Sequence, residues 1–309
     1  MQGSENEGEA EGVGDKARHV PVLLHEVIEK LDPYGGEFVI DGTLGAGGHA
    51  KAFIDRIGTN GKFLGIDWDR EAVERARRSL GTVSLEKLVL REGNYRDLQE
   101  ILRAEGMDKA DILLLDLGFS SDQLDNQRGF SFQKNEPLIM TYNDEATPAY
   151  SAIRQLKRRE LAEMIRRFSD ERYAERIAEA IYERGKKEPI KTTGELAEVI
   201  RGAVPENYER GRINPATRTF QAIRMYINDE LGNLVGVLGS LKEIVKSGGR
   251  VGIISFHSKE DRIVKNHFRD MAKAGEAELI TKKPIQATDE EIRTNPKSRS
   301  AKLRVIKIK

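Results

Sequence analysis

Residues 38–49 read FVIDGTLGAGGH, and residues 63–69 read FLGIDWD. An apolar run ends on a carboxylate, Asp41, passes into a glycine-rich turn and opens a helix. A second apolar run then ends on Asp67. Strand, glycine turn, helix and a strand-ending acid about 20 residues on follow the order of a nucleotide-binding βαβ unit. Gly45, Gly47 and Gly48 let the backbone turn tightly and let a ligand approach where a Cβ would intrude. Asp67 stands where such units place an acid on a ribose hydroxyl. The stretch points to a parallel α/β sheet and an adenosine-containing cofactor, against the plainer reading of glycines that only make a turn.

Residues 45–50, GAGGHA, also fit a dinucleotide fingerprint, so the choice of cofactor rests on Asp41. A carboxylate beside the glycine loop repels a pyrophosphate. It favours a cofactor bearing positive charge, such as the ammonium and sulfonium groups of S-adenosylmethionine. The alternative is that Asp41 caps the following turn through its own side chain.

The 309 residues suit one large α/β domain or two smaller ones. The 51 basic and 51 acidic residues cancel, but they are unevenly placed. Residues 1–15 hold Glu5, Glu7, Glu9, Glu11 and Asp15 with no Lys or Arg, leaving a formal +5 on the rest. This Gly/Glu-rich stretch has the composition of a disordered acidic tail, assigned to residues 1–18. From Thr281 onward nine Lys or Arg face only Asp289, Glu290 and Glu291, a balance that permits an RNA partner. No cysteine occurs and the five histidines are scattered, so disulfides, thiolate chemistry and a metal site are not expected. Without an apolar run of membrane-spanning length or a signal peptide, the chain is expected to be cytoplasmic.

Apolar runs at 38–41, 63–66, 88–90 and 112–115 alternate with helical stretches such as Arg70–Leu80 and Leu98–Glu105. A helix over Val20–Leu31 precedes them, ended by Pro33. The rhythm breaks after about residue 125, and residues 150–204 read as charged amphipathic helices. Leu161, Ile165 and Phe168 share one face, as do Tyr173, Ile177 and Ile181. Thr192 and Glu195 form a capping box. Asn214-Pro215 then starts a helix running towards Val245. Gly248-Gly249 ends it, Val251–Ser255 is a further buried strand, and runs near 278–281 and 303–308 finish the sheet. The pattern predicts a doubly wound domain over 19–125 and 213–309, interrupted by an inserted helical domain over 126–212.

In DILLLDLGFSSDQL, residues 111–124, an apolar run delivers Asp116 to a strand end, and a Gly118-Phe-Ser-Ser turn follows at once. Ligands of open α/β sheets lie at the carboxyl ends of the strands, where Asp41, Asp67 and Asp116 all fall. Asp116 and Ser120 suit methylation of a base amine. The lone pair of such an amine is delocalised into the ring, and acceptors on its hydrogens hold it out of plane as the methyl arrives. The usual amine-methylating loop reads acid or Asn, Pro, Pro, aromatic; Asp116-Leu-Gly-Phe does not meet it.

HVPVLLHEV (19–27), DGTLGAGGH, DLGFSSDQLD, RGFSF (128–132), NPATRTFQAIRMYINDEL (214–231), ISFHSKEDRIVK (254–265) and NPKSRSAKLR (295–304) together resemble the ribosomal RNA small subunit methyltransferase H family. The resemblance spans everything but the acidic tail. It implies a class I S-adenosylmethionine-dependent methyltransferase fold, a Rossmann-like seven-stranded sheet with an inserted helical domain. It implies methyl transfer to the exocyclic N4 amine of a cytosine in the decoding region of 16S rRNA, as naked RNA or within the 30S subunit. A homodimer is compatible with it. By motif position its cofactor contacts fall on Gly47, Gly48, His49, Asp67, Tyr95, Asp116 and Gln123, beside Asp41 and Gly45 from the reading above.

Two departures stand out. Asp122 replaces the family's usual Pro, and Pro137-Leu-Ile-Met-Thr-Tyr142 replaces its Pro-Leu-Asp-Met-Arg-Met, so Ile139 and Thr141 stand for an acid and an arginine. The altered segment keeps open a non-catalytic rRNA-binding assembly factor, and the glycine fingerprint keeps open a nicotinamide oxidoreductase. Phe130 and Phe132 either stack on a flipped base or anchor a loop in the core. Arg218, Arg224, Lys297, Arg299, Lys302 and Arg304 are candidate phosphate contacts. Ser258 with Asp261 reads as a helix N-cap rather than part of a hydrolase triad.

Overall fold

The computed structural model describes residues 21–118, 127–143 and 145–309; Ser120, Asp122 and Gln123 lie outside the described residues. Helix α1 (Leu24–Leu31) ends where Asp32 takes a left-handed conformation. Then come β1 (Phe38–Asp41), α2 (Gly48–Ile57), β2 (Lys62–Asp67), α3 (Arg70–Leu80), β3 (Lys87–Glu92), α4 (Leu98–Ala104) and β4 (Ala110–Asp116). Strands β1 and β4 are apolar nearly throughout because helices cover both sheet faces. The alternation of side chains sorts them. Ile112 and Leu114 join Val39, Phe53, Phe63 and Leu303 on one face. Leu113 and Leu115 join Ile40, Leu64, Val237 and Phe268 on the other.

Among the described residues four helices follow in the helical segment: α5 (Ala149–Gln155), α6 (Arg158–Ser169), α7 (Ala174–Lys187) and α8 (Thr193–Ala203). Their apolar faces meet as the periodicity predicts. Leu161, Ile165, Phe168, Ile177, Ile181, Leu196 and Ile200 form one buried cluster, each large aliphatic side chain contributing roughly 1.5–3 kcal/mol of burial. The Thr192–Glu195 capping box is present, each side chain accepting from the other residue's backbone N–H. Helix α9 (Ala216–Ile227) adds Phe220, Ile223 and Met225 to the same cluster.

The single helix predicted from Asn214 towards Val245 is three helices: α9, α10 (Glu230–Gly239) and α11 (Leu241–Ile244). The first break is a tertiary effect. Asn228 Nδ2 donates to the Met140 and Arg224 carbonyls, and Asp229 turns left-handed at φ 45°. Strand β5 (Val245–Ser255), α12 (Ser258–Lys273), β6 (Ala277–Leu279), α13 (Asp289–Thr294) and β7 (Lys302–Ile308) complete the chain. Strand order is β3-β2-β1-β4-β5-β7-β6, with β1 to β5 parallel and β7 antiparallel to both neighbours. This is the doubly wound, Rossmann-like class I methyltransferase sheet that the motifs imply. Among the described residues no helix is long and apolar enough to cross a membrane.

Candidate functional site

Asp41 pairs in register with Gly65 of β2 and Leu114 of β4, so Asp67 and Asp116 each reach two residues further along the same carboxyl edge. Asp41 is buried, and its Oδ1 accepts from the Thr43 amide at 3.1 Å, so it does cap the following turn. Thr43 Oγ1 in turn accepts from the Asp116 amide at 2.6 Å, joining the ends of β1 and β4. Asp67 Oδ2 accepts from the Gly45 amide at 2.8 Å, and its Oδ1 from the Asp69 amide at 2.9 Å. Each oxygen keeps a lone pair for a hydroxyl donor. Gly45 and Gly47 have φ of 52° and 85°, and a Cβ on Gly47 would come 3.4 Å from the Ala76 side chain. The glycine loop is thus held open by Asp67 and closed against α3.

The three strand-end carboxyls are electrostatically stressed. Burial pushes Asp41 up to about 7, opposed by the Thr43 amide and helped by Asp116 and Asp67. Burial likewise raises Asp116 to about 7, with Glu260 adding to the rise. Asp67 rises to about 6 through burial, against two amide hydrogen bonds. Such a pocket is short of positive charge.

His49 is buried, its Nε2 3.0 Å from the Val22 carbonyl and its Nδ1 3.8 Å from Asp116 Oδ2. It ties the segment before α1 to the β4 end. Tyr95 packs beside the loop: a Cβ on Gly42 would come 3.2 Å from the Tyr95 Cβ. Burial drives its hydroxyl well above the ordinary tyrosine range, so Tyr95 is a neutral ring beside the pocket. Asp116 Oδ1 accepts from the Gly118 amide at 3.1 Å, and Gly118 passes so close to Phe256 that a Cβ would meet its ring at 2.7 Å.

A second layer escapes the sequence reading. Trp68, directly after Asp67, lies 5.9 Å from the Tyr142 ring, and Phe130 stacks on Tyr142 at 5.4 Å. The Tyr142 hydroxyl donates to Glu230 Oε1 at 3.0 Å, while Arg224 grips Glu230 through two bonds of 2.7 and 2.9 Å. Burial disfavours the Arg224 charge, but Glu230 more than offsets it and holds the guanidinium above its ordinary value. Arg224 therefore meets a carboxylate where a phosphate was expected. The altered 137–142 segment is built into the molecule: Thr141 is buried, and Tyr142 N donates to Asn228 Oδ1 at 3.1 Å. Trp68 was visible beside the acid. The Tyr142–Glu230 contact spans 88 residues and left no local signal.

The other expected contacts divide. Phe132 packs edge-on against Phe220 of the helical core at 5.2 Å, the anchoring alternative. Arg218 pairs with Glu209 at 2.8 Å, near Glu171 and Tyr208. Arg304 is buried against Asp261 at 2.7 Å, and Lys302 reaches the same carboxylate at 3.6 Å. Arg299 is exposed and Lys297 half-buried on the turn Pro296–Ser300. Ser258 is the first residue of α12, not its cap. The cap position is His257, and Glu260 instead takes the Phe256 amide at 3.0 Å. Glu230, His257 and Glu260 bring one ligand atom each within 4.8 Å of one another, a cluster that sequence spacing hid. Arg224 already neutralises Glu230, so the group reads as an acid–imidazole cluster.

Residues 16–309 match the family model of the MraW methylase family. Ribosomal RNA small subunit methyltransferase H of Syntrophus aciditrophicus (strain SB) is 42% identical over 308 residues, covering 94% of this chain and 98% of that protein. The protein of the same name from Syntrophotalea carbinolica is also 42% identical over 308 residues, with the same coverage of 94% and 98%. That of Deinococcus radiodurans is 43% identical over 303 residues, covering 98% of this chain and 93% of that protein.

Proposed function

This chain belongs to the MraW methylase family, whose methyl donor is S-adenosylmethionine, and we propose that it methylates the exocyclic N4 amine of a cytosine in the decoding region of 16S rRNA. The observation that carries the reading is the convergence of Asp41, Asp67 and Asp116 at one sheet edge, all raised by burial. Three stressed carboxyls are complementary to a cationic cofactor and hostile to a pyrophosphate, which removes the support for a nicotinamide oxidoreductase.

The residues present fit that cofactor. Asp67 would take the ribose hydroxyls, with the Gly45–Gly48 turn and Tyr95 flanking it, and Asp41 and Asp116 would supply negative charge. When bound, the cofactor supplies an electrophilic methyl group and the positive charge that the pocket lacks. Asp116 would then offer an acceptor to one amine hydrogen; Ser120, the other acceptor read from the sequence, lies outside the described residues. Because the amine is a weak nucleophile, positioning dominates, and the Thr43–Asp116 and Gly118–Asp116 hydrogen bonds fix the acceptor in place. The exposed Arg299 and the neighbouring Lys297 serve the RNA backbone.

Incubation with radiolabelled S-adenosylmethionine and methylation-deficient small subunits or naked 16S rRNA, followed by nucleoside mass spectrometry, tests this. N4-methylcytidine is the expected product. Label in another nucleoside would overturn the target assignment. Tight RNA binding with no label would favour the assembly factor that the 137–142 substitutions suggested.

A further inference from the structure

Resting on that reading, we propose that His257, backed by Glu260, accepts the proton that leaves the target amine. Strand β5 lies beside β4 with Ile254 in register with Asp116, and the Leu117 amide donates to the Ile254 carbonyl at 2.9 Å. The chain leaving β5 runs through Phe256, packed under Gly118, directly into His257. His257 therefore follows on the β5 side of the Asp116 strand end, the side away from β1 and its glycine loop.

Its environment is unusual. Both ring nitrogens are buried and neither makes a hydrogen bond among the described residues, although Nε2 lies 2.9 Å from Glu260 Oε1. Buried polar atoms are rarely left without partners, and those that are concentrate where a ligand or proton must be handled. Glu260 is only 3% exposed, and its other oxygen is fixed by the Phe256 amide. It is placed to orient the ring and to stabilise an imidazolium, as a carboxylate behind a general base does. The group facing the imidazole from another element is Glu230 on α10, neutralised by Arg224, while Glu260 also acts electrostatically on the Asp116 carboxyl of β4. Other groups at this edge are already committed: His49 Nε2 to the Val22 carbonyl, and Asp116 Oδ1 to the Gly118 amide.

The step balances. As the amine nitrogen bonds to the methyl carbon, the carbon–sulfur bond breaks, its electron pair stays on sulfur, and the amine becomes cationic. One N–H bond then breaks; the pair remains on nitrogen and the proton passes to an imidazole nitrogen of His257. The imidazolium is countered by Glu260 until it loses the proton to water.

Two measurements on the full chain test this. Single-turnover methylation from pH 5.5 to 8.5 is expected to fall roughly 100-fold in His257→Asn and in His257→Gln. Cofactor affinity should stay within about twofold. Retention of near wild-type rate would overturn the assignment. Glu260→Gln should lower the single-turnover rate about tenfold at unchanged cofactor affinity, and should add little further loss in the His257→Asn background. Losses that multiply as independent would refute the His257–Glu260 pair. If wild type labels no RNA, the proposed function fails by itself; if wild type labels RNA and His257→Asn labels it as fast, only this assignment fails.

Discussion

Lowering the pH should drive S-adenosylmethionine off this protein, and the structure sets how steeply. A cation binds best when the carboxyls around it are ionised, so binding lowers their pKa values and releases protons. Unliganded Asp41 and Asp116 titrate near 7 and Asp67 near 6. Affinity is therefore full only above about pH 8 and is lost as pH falls through 7 and then 6. At pH 5 a group with a pKa near 7 is two units below its midpoint, and ionising it costs about 3 kcal/mol, or about a hundredfold in affinity. Because Asp116 and Asp67 both raise Asp41, their titrations are coupled, and about one proton released per cofactor is expected, a slope of about one decade per pH unit. Titration calorimetry between pH 5 and 8 in buffers of different ionisation enthalpy counts the protons directly. The demethylated product, whose sulfur is neutral, should show a shallower dependence. A dissociation constant flat from pH 5 to 8, with no proton release, would refute the account of the pocket.

Four further outcomes follow from the same contacts. The folded pKa of Asp41 lies above its unfolded value, so its protonation contributes stability that is fully present below about pH 4 and lost as pH rises through 7. Asp41→Asn should accordingly stabilise the unliganded protein at pH 8 by about 1–3 kcal/mol in urea unfolding while weakening cofactor binding. Arg224→Met leaves Glu230 buried without its partner and should cost about 3–5 kcal/mol by the same assay, with much of this recovered in Arg224→Met/Glu230→Leu. Gly129→Ala forces a Cβ to within 2.3 Å of the Pro137 carbonyl at φ 74°; a loss of at least about 2 kcal/mol is expected, read as a lower urea midpoint. Arg299→Ala should reduce the salt-dependence slope of rRNA binding by about one, with cofactor affinity unchanged in calorimetry.

The sheet was legible because buried parallel strands are written as uninterrupted apolar runs: 38–41, 63–66 and 112–115 lie within β1, β2 and β4. Their terminal acids were legible for the same reason, since a carboxylate closing such a run must stand at the strand's end. The break at Asn228 and Asp229 was not legible. Nothing local stops that helix, and the side chain that interrupts it is held by a carbonyl of Met140, 88 residues away. The same distance hid the Tyr142–Glu230–Arg224 network. Arg224 and Arg218 read as surface cations because composition shows charge but not the carboxylate that meets it. Arg304, between the apolar Leu303 and Val305 of β7, carried the opposite hint: a cation there needs a buried partner, and Asp261 provides it.

The position of the helical segment has a consequence for how the chain reaches its native state. Strand β4 ends at Asp116, but β5, which covers its outer edge, begins only at Val245. While the residues between are being synthesised, β3-β2-β1-β4 exists as a half-sheet whose open side is β4, a strand of Ile and Leu with unpaired amides and carbonyls. Such an edge is a template for pairing with another copy of itself. Closing it requires a contact across the whole insertion, which is slow because loop closure precedes any gain from pairing. The strand that ends at Asp116 is thus the last part of the first half-sheet to be sheltered. Nascent chains stalled within the helical segment are the species in which this protein is most exposed to aggregation.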